Sequence, residues 1–161
     1  ETIPNAMLFL VGKGSVDVEK KLKEIAKENK IEDHVRLIGY RPFKEVSAIM
    51  SASSINIIPH NADEHTNNTI PHKLFQIMLS RSLLMVSSCK PLKRIVEKYD
   101  AGLVFEAGNS IDFSDKVIEA FTNFESIRSK TENAFNAVME KGENWDTESL
   151  KLIDLYNKIE N

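Results

Sequence analysis

The sequence predicts an α/β protein built on a parallel sheet flanked by helices. Three observations lead there. Strand-like and helix-like stretches alternate through five cycles, the pattern of right-handed β–α–β crossovers. The first strand candidate, AMLFLVG at Ala6–Gly12, is a short apolar run closed by glycine, as in a strand buried on both faces. The 161 residues, 42% hydrophobic and 28% charged, suffice for one globular domain with a full core, read as 1–161.

Taken in order, Ser15–Lys30 reads as a helix, with Val18, Leu22, Ile25 and Ala26 on one stripe and Lys and Glu on the other. Val35–Ile38 is a second strand, ended by Gly39. Phe43–Met50 is a helix with Pro42 near its start and Phe43, Val46 and Met50 as its buried positions. Ile55–Ile58 is a third strand, followed by Pro59 and a polar loop, Asn61–Asn68. Ile70–Leu79 has Ile70, Leu74, Ile77 and Met78 at helical spacing. Leu83–Val86 is a fourth strand, Leu92–Tyr99 a short helix and Gly102–Phe105 a fifth strand. From Ile111 onward the pattern is helical, broken near Asn123 and at Gly142–Asp146.

The bulk properties exclude some classes of function. A net charge of −3, with Lys and Glu interspersed, does not suit a nucleic-acid surface. Cys89 is the single cysteine, so no internal disulfide can form and a reducing, cytoplasmic compartment is expected. No apolar run approaches the length of a membrane span, and no signal peptide is visible. The chain begins at Glu1 and enters an apolar run almost at once, so it is expected to be a piece of a longer protein.

Ligands of parallel α/β sheets bind beyond the carboxyl ends of the strands, which singles out residues 12–15, 39–42, 59–69 and 87–91. Gly12-Lys13-Gly14 lacks both the third glycine of a dinucleotide fingerprint (Asp17 stands there) and the Gly-Lys-Ser/Thr of a P-loop, and reads first as a tight turn. Gly39-Tyr40 is either a turn with a packed tyrosine or a close backbone approach to a nucleobase. Three of the four histidines, His60, His65 and His72, lie near the 59–72 loop without metal-site spacing, and no metal site is expected. No G-x-S-x-G elbow appears, and Cys89 reads as a small loop residue. The segment NNTIPHKLFQIM, Asn67–Met78, carries most. Asn68 or Thr69 can cap the helix there, the N–H groups of Thr69 and Ile70 can face a phosphate, Lys73 adds a mobile charge, and Gln76 can reach a ribose diol. A capped core helix with nothing bound fits that pattern equally well.

These residues resemble the C-terminal, donor-binding domain of retaining GT-B glycosyltransferases of the group 1 (family 4) set. IPNAMLFLVGKGS looks like the strand and Val-Gly-x-Gly turn of that family. VRLIGYRPFKEVSAIMSASSINIIPH resembles its next strand, loop, helix and Pro-terminated strand. NNTIPHKLFQIMLSRSLLMVSS resembles its nucleotide-sugar motif, DAGLVFEAGN its Gly-Leu-Val strand, and NWDTESLKLIDLYNKI its closing helix. The resemblance implies a Rossmann-like fold, with Gly39 and Tyr40 flanking the base and Thr69 and Ile70 donating to the diphosphate. It places Asn68 and Gln76 where the family has two glutamates, eight apart, that grip the sugar and the ribose. The small residue and proline that usually follow the helix are Arg81 and Leu83 here.

The implied activity is transfer of a hexosyl group from a nucleotide-diphosphate sugar to a glycan or lipid-linked acceptor. The catalytic residues are not identified, and neither a metal nor a cofactor besides the donor is expected. The first strand and helix of the half and the acceptor-binding N-terminal domain are expected to lie outside this chain, which alone would bind nucleotide without turnover. Peripheral contact of the parent with the inner membrane face is compatible with that role. Two alternatives stay open: a non-catalytic relative with a decayed site, motivated by Asn68 and Gln76, and another small-ligand α/β module.

Overall fold

The computed structural model describes residues 3–159. The chain divides into two compact units, residues 1–49 and 50–161.

In the first unit, β1 (Leu8–Val11) pairs in parallel with β2 (Val35–Gly39). Leu8 stands opposite Val35 and Leu10 opposite Leu37, and the register slips so that Val11 meets Gly39. Between them runs α1 (Val16–Glu28), opened by Ser15, whose hydroxyl accepts from the Val18 N–H at 3.3 Å. A 3-10 turn at Glu32–His34, absent from the sequence reading, leads into β2, and His34 Nδ1 donates to the Ala6 carbonyl at 2.9 Å. After Pro42, α2 (Phe43–Ala52) begins, with the Pro42 carbonyl accepting from both Glu45 N and Val46 N.

The expected double-sided burial of β1 is not found: Leu8 and Phe9 are 43% and 49% exposed. Phe43, expected inside, is 62% exposed, while Val46 and Met50 are half-buried. On α1 only Ala26 is buried. Among the described residues this sheet has two strands, and a strand's faces are buried only where other layers pack on them, which the sparse burial of α1 and α2 shows to be incomplete here.

The second unit is built around a three-stranded parallel sheet of β3 (Ile55–Ile58), β4 (Leu83–Ser87) and β5 (Leu103–Phe105), with β4 in the middle. Ile55 pairs with Leu83 and Ile58 with Val86; Met85 pairs with Leu103 and Ser87 with Phe105. All five β4 residues are buried. The side chains alternate between two cores, as the pleat requires. Leu84 and Val86 join Ile58, Leu74, Ile77 and Met78 of α3 (Lys73–Leu79) and Leu92, Ile95 and Val96 of α4 (Lys90–Tyr99). Leu83 and Met85 join Leu103, Phe105 and Ala120 of α5 (Ser110–Thr122). The helix α6 (Phe124–Met139) serves both, with Ala134, Ala137 and Val138 in the first core and Ile127 in the second. The chain closes with α7 (Trp145–Ile159). The expected breaks at Asn123 and around Gly142–Asp146 separate these last three helices.

Two turns are tight. Asp100 ends α4 in the left-handed region (φ 47°), and the Ala101 N–H returns to the Val96 carbonyl at 2.9 Å. Gly102 follows, packed on β4 so closely that a Cβ there would lie 2.3 Å from the Leu84 carbonyl oxygen. Backbone cannot yield as a side chain can, so Gly102→Ala is expected to destabilise the chain by about 3 kcal/mol, in the upper range for overpacking. Urea unfolding followed by circular dichroism measures it, and an unchanged midpoint refutes the close contact.

Candidate functional site

The carboxyl ends of β3, β4 and β5 open into residues 59–72, 88–89 and 106–109. The longest of these loops is shaped by its own side chains. Asp63 Oδ1 accepts from the Thr66 N–H at 2.8 Å and the Thr66 hydroxyl at 3.0 Å, which folds residues 63–67 into a helical turn. Those bonds hold the exposed Asp63 carboxyl below its ordinary range. Asn68 Nδ2 donates to the Glu64 carbonyl at 2.7 Å, and the Thr69 hydroxyl donates to the His65 carbonyl at 2.9 Å.

Asn68 and Thr69 therefore close the turn behind them and do not cap the helix ahead, and the expected helix Ile70–Leu79 is three residues shorter at its start. It begins at Lys73, with His72 at the cap position making no side-chain cap bond. Pro71 explains the shift. Its ring disfavours helical geometry at Ile70, which keeps that residue out of the helix. Leu74 N donates to the Pro71 carbonyl at 3.0 Å and Gln76 N to the His72 carbonyl at 3.4 Å. Thr69 and Ile70 thus carry their N–H groups in the loop. Lys73 is exposed on the first helical residue, and Gln76 lies half-buried one turn later on the same side.

The loop is fastened to its neighbours. Asn67 Oδ1 accepts from the Lys90 N–H at 3.0 Å at the start of α4. The buried Cys89 thiol lies 3.5 Å from the His60 carbonyl and 3.4 Å from the Asn61 carbonyl, and so acts as a structural donor. Ser88 Oγ accepts from the Ala107 N–H at 3.0 Å, joining the loops after β4 and β5. Beyond β5, Asn109 caps α5 through the N–H groups of Ile111 and Asp112.

His60 is the residue that sequence reasoning passed over, grouping it with the other histidines. Its Nδ1 is buried and, among the described residues, has no hydrogen-bond partner. Burial first, and then the nearby Lys73 ammonium, push the imidazole below its ordinary pKa, with Asp63 opposing. Position 60, directly after Pro59 at the strand end, was the only signal in the sequence.

In the first unit, the turns after β1 and β2 meet where the Gly12 N–H donates to the Gly39 carbonyl at 2.9 Å. Gly39 has φ 72°, and a Cβ there would meet nothing within 4 Å. Backbone conformation, and not crowding, calls for glycine. The packed alternative for Tyr40 is not found, since it is 73% exposed.

Comparison with known proteins decides the family. Residues 1–137 match the family model described as glycosyl transferases group 1. The chain belongs to the group 1 glycosyl transferases. Its α/β, Rossmann-like fold is that of their solved GT-B structures. Sucrose-phosphate synthase (tll1590) from Thermosynechococcus elongatus superposes with a TM-score of 0.83 at 17% identity, covering 98% of this chain and 39% of that one. Anabaena Alr3699/HepE, solved with UDP, superposes at 0.84 and 17% identity over 96% and 42%. The C-terminal domain of the group 1 protein LpcC from Francisella tularensis gives 0.68 at 13% identity over 86% and 71%. This chain thus spans about two fifths of the length of the first two. A comparison with curated proteins finds no match. Among the described residues, no helix is long and apolar enough to cross a membrane.

The lowered pKa of His60 has a consequence for stability. Above the ordinary histidine pKa of about 6.5, both folded and unfolded chains hold His60 neutral. Below it the unfolded chain takes up a proton that the folded chain resists, so stability falls as pH falls. Thermal unfolding between neutral pH and the folded-state pKa should show that slope, and His60→Asn should remove its share. An equal slope in the variant refutes the assignment.

Proposed function

We propose that this chain is the donor-binding part of a retaining glycosyltransferase that moves a hexosyl group from a nucleotide-diphosphate sugar to a glycan or lipid-linked acceptor. The observation that carries the reading is the placement of the 59–72 loop and Lys73 beyond the carboxyl end of β3, in a chain of this family. The UDP complex of Alr3699/HepE supports a nucleotide donor. In this reading the Thr69 and Ile70 N–H groups and the Lys73 ammonium hold the diphosphate. They stabilise the negative charge that grows on it as the glycosidic bond breaks. Asn68 and Gln76 hydrogen-bond sugar and ribose hydroxyls. Neither a metal nor a further cofactor has a role here. The acceptor, any peripheral membrane contact and a cytoplasmic location belong to the parent protein.

Asn68 and Gln76 also favour a second reading, a non-catalytic relative that keeps nucleotide binding. An amide shares a hydrogen bond with a diol but lacks the charge-assisted strength of a carboxylate. Turnover of any nucleotide sugar by the longer parent protein eliminates that second reading.

Titration of the chain with uridine, guanosine, adenosine and cytidine diphosphates, followed by amide NMR, tests the site. One nucleotide is expected to move Thr69, Ile70 and Gln76, and Lys73→Ala should weaken it about tenfold, or about 1.4 kcal/mol. No movement with any of the four refutes the assignment.

A further inference from the structure

The opposite end of the three-stranded sheet holds a feature that donor binding does not use. At the amino ends of β3 and β4 lies a cavity of about 420 Å³. Three segments wall it: Ser51 in the last turn of α2 with Ser54 just before β3, Arg81 in the turn from α3 to β4, and Arg128, Thr131 and Glu132 on α6. The five residues of β4 put it about 15 Å from the loops already described.

Arg81 occupies a position that sequence economy would assign to glycine. It follows the end of α3 with φ 58°, a left-handed conformation that is unfavourable for a side-chain-bearing residue. Its side chain is held in place from two directions. Arg81 Nη1 donates to both carboxylate oxygens of Glu132, at 2.5 and 2.7 Å, and the guanidinium lies 3.7 Å over the Phe135 ring. That grip uses one of its three nitrogens. Arg128 makes no salt bridge among the described residues. Two guanidinium groups and one carboxylate leave the cavity with a single excess positive charge. Hydroxyls and the apolar sides of Leu83 and Ile127 make up the remaining wall.

That combination selects a chemistry. A bare anion uses the guanidinium groups and hydroxyls as donors and leaves the apolar wall and the remaining lone pairs of Glu132 unused. An apolar ligand strands all of them. A compact molecule with one phosphate, several hydroxyls and a carbon face engages each kind of group, and the volume falls within the range of small-ligand sites. We propose that this cavity is a second binding site, for a small phosphorylated polyol of the sugar-phosphate class. Arg128 and the remaining donors of Arg81 take the phosphate, and Glu132 and the serine hydroxyls take the polyol.

Amide and arginine Nε NMR on the chain tests this with three probes: glucose 6-phosphate, inorganic phosphate and glucose. Glucose 6-phosphate should move Ser51, Ser54, Arg128 and Thr131, and bind more tightly than either of the others. Arg128→Gln keeps helix propensity on an exposed position, so it should fold as the parent does while binding about tenfold or more weakly, through loss of a charge-assisted contact. Lys151→Gln on α7 removes the same charge elsewhere and should bind as the parent does. The proposal is overturned if none of the four residues moves, or if inorganic phosphate binds as tightly as glucose 6-phosphate. It is equally overturned if Arg128→Gln titrates like the parent, or if Lys151→Gln loses as much.

Discussion

The second unit depends on the enclosure of β4. Its residues Leu83–Ser87 have a strand on each edge and a helical layer on each face, so none of the five reaches water. A strand in that position has no polar side to spare, and the apolar run Leu83–Val86 meets the demand. Once it is central, β3 and β5 must flank it in parallel, because the connections through α3 and α4 are crossovers. Every loop that leaves a carboxyl end then emerges on one side. The longest of them, residues 59–72, leaves β3 there.

The same enclosure explains two pieces of local strain. Gly102 must pass within contact distance of the Leu84 carbonyl for β5 to pair with β4, and Asp100 adopts a left-handed conformation just before it to make the approach. Arg81 does the corresponding service on the other edge, turning the chain from α3 into β4. Neither Asp100 nor Arg81 is the easiest residue for such a conformation, and each is held by α6. Lys130 pairs with Asp100, and Glu132 and Phe135 hold Arg81. A single helix thus secures both turns that bracket the central strand's connections, besides filling space in two cores.

Strand and helix identity was legible because hydrophobic period and turn residues agree along most of the chain. The strands Ile55–Ile58 and Leu83–Val86 stand where they were read, because both are apolar runs bounded by turn residues. What failed depended on neighbours distant in sequence. The run at Ala6–Gly12 has the composition of a doubly buried strand, yet burial depends on which layers cover its faces. The start of α3 was misread because Asn68 and Thr69 are good capping residues whichever way they face. In the fold they are bonded backward to Glu64 and His65, and Pro71 keeps Ile70 out of the helix. His60 was invisible as an individual, since solvent exclusion of one ring nitrogen leaves no mark in composition or spacing. The cavity at the other end joins three segments spread over some eighty residues, and no local pattern links them.

The orientation of Asn68 bears on what a glutamate could do in its place. Its Nδ2 is committed to the Glu64 carbonyl, so the amide oxygen is the atom left to face outward. In that pose an asparagine offers a ligand what one carboxylate oxygen would, a lone-pair acceptor, and its nitrogen meanwhile braces the loop. A glutamate at this position would have no proton to donate to Glu64 and would turn a second acceptor toward that carbonyl. Asparagine thus gives a self-supporting turn without charge, and a glutamate in its place would require another donor for the Glu64 oxygen.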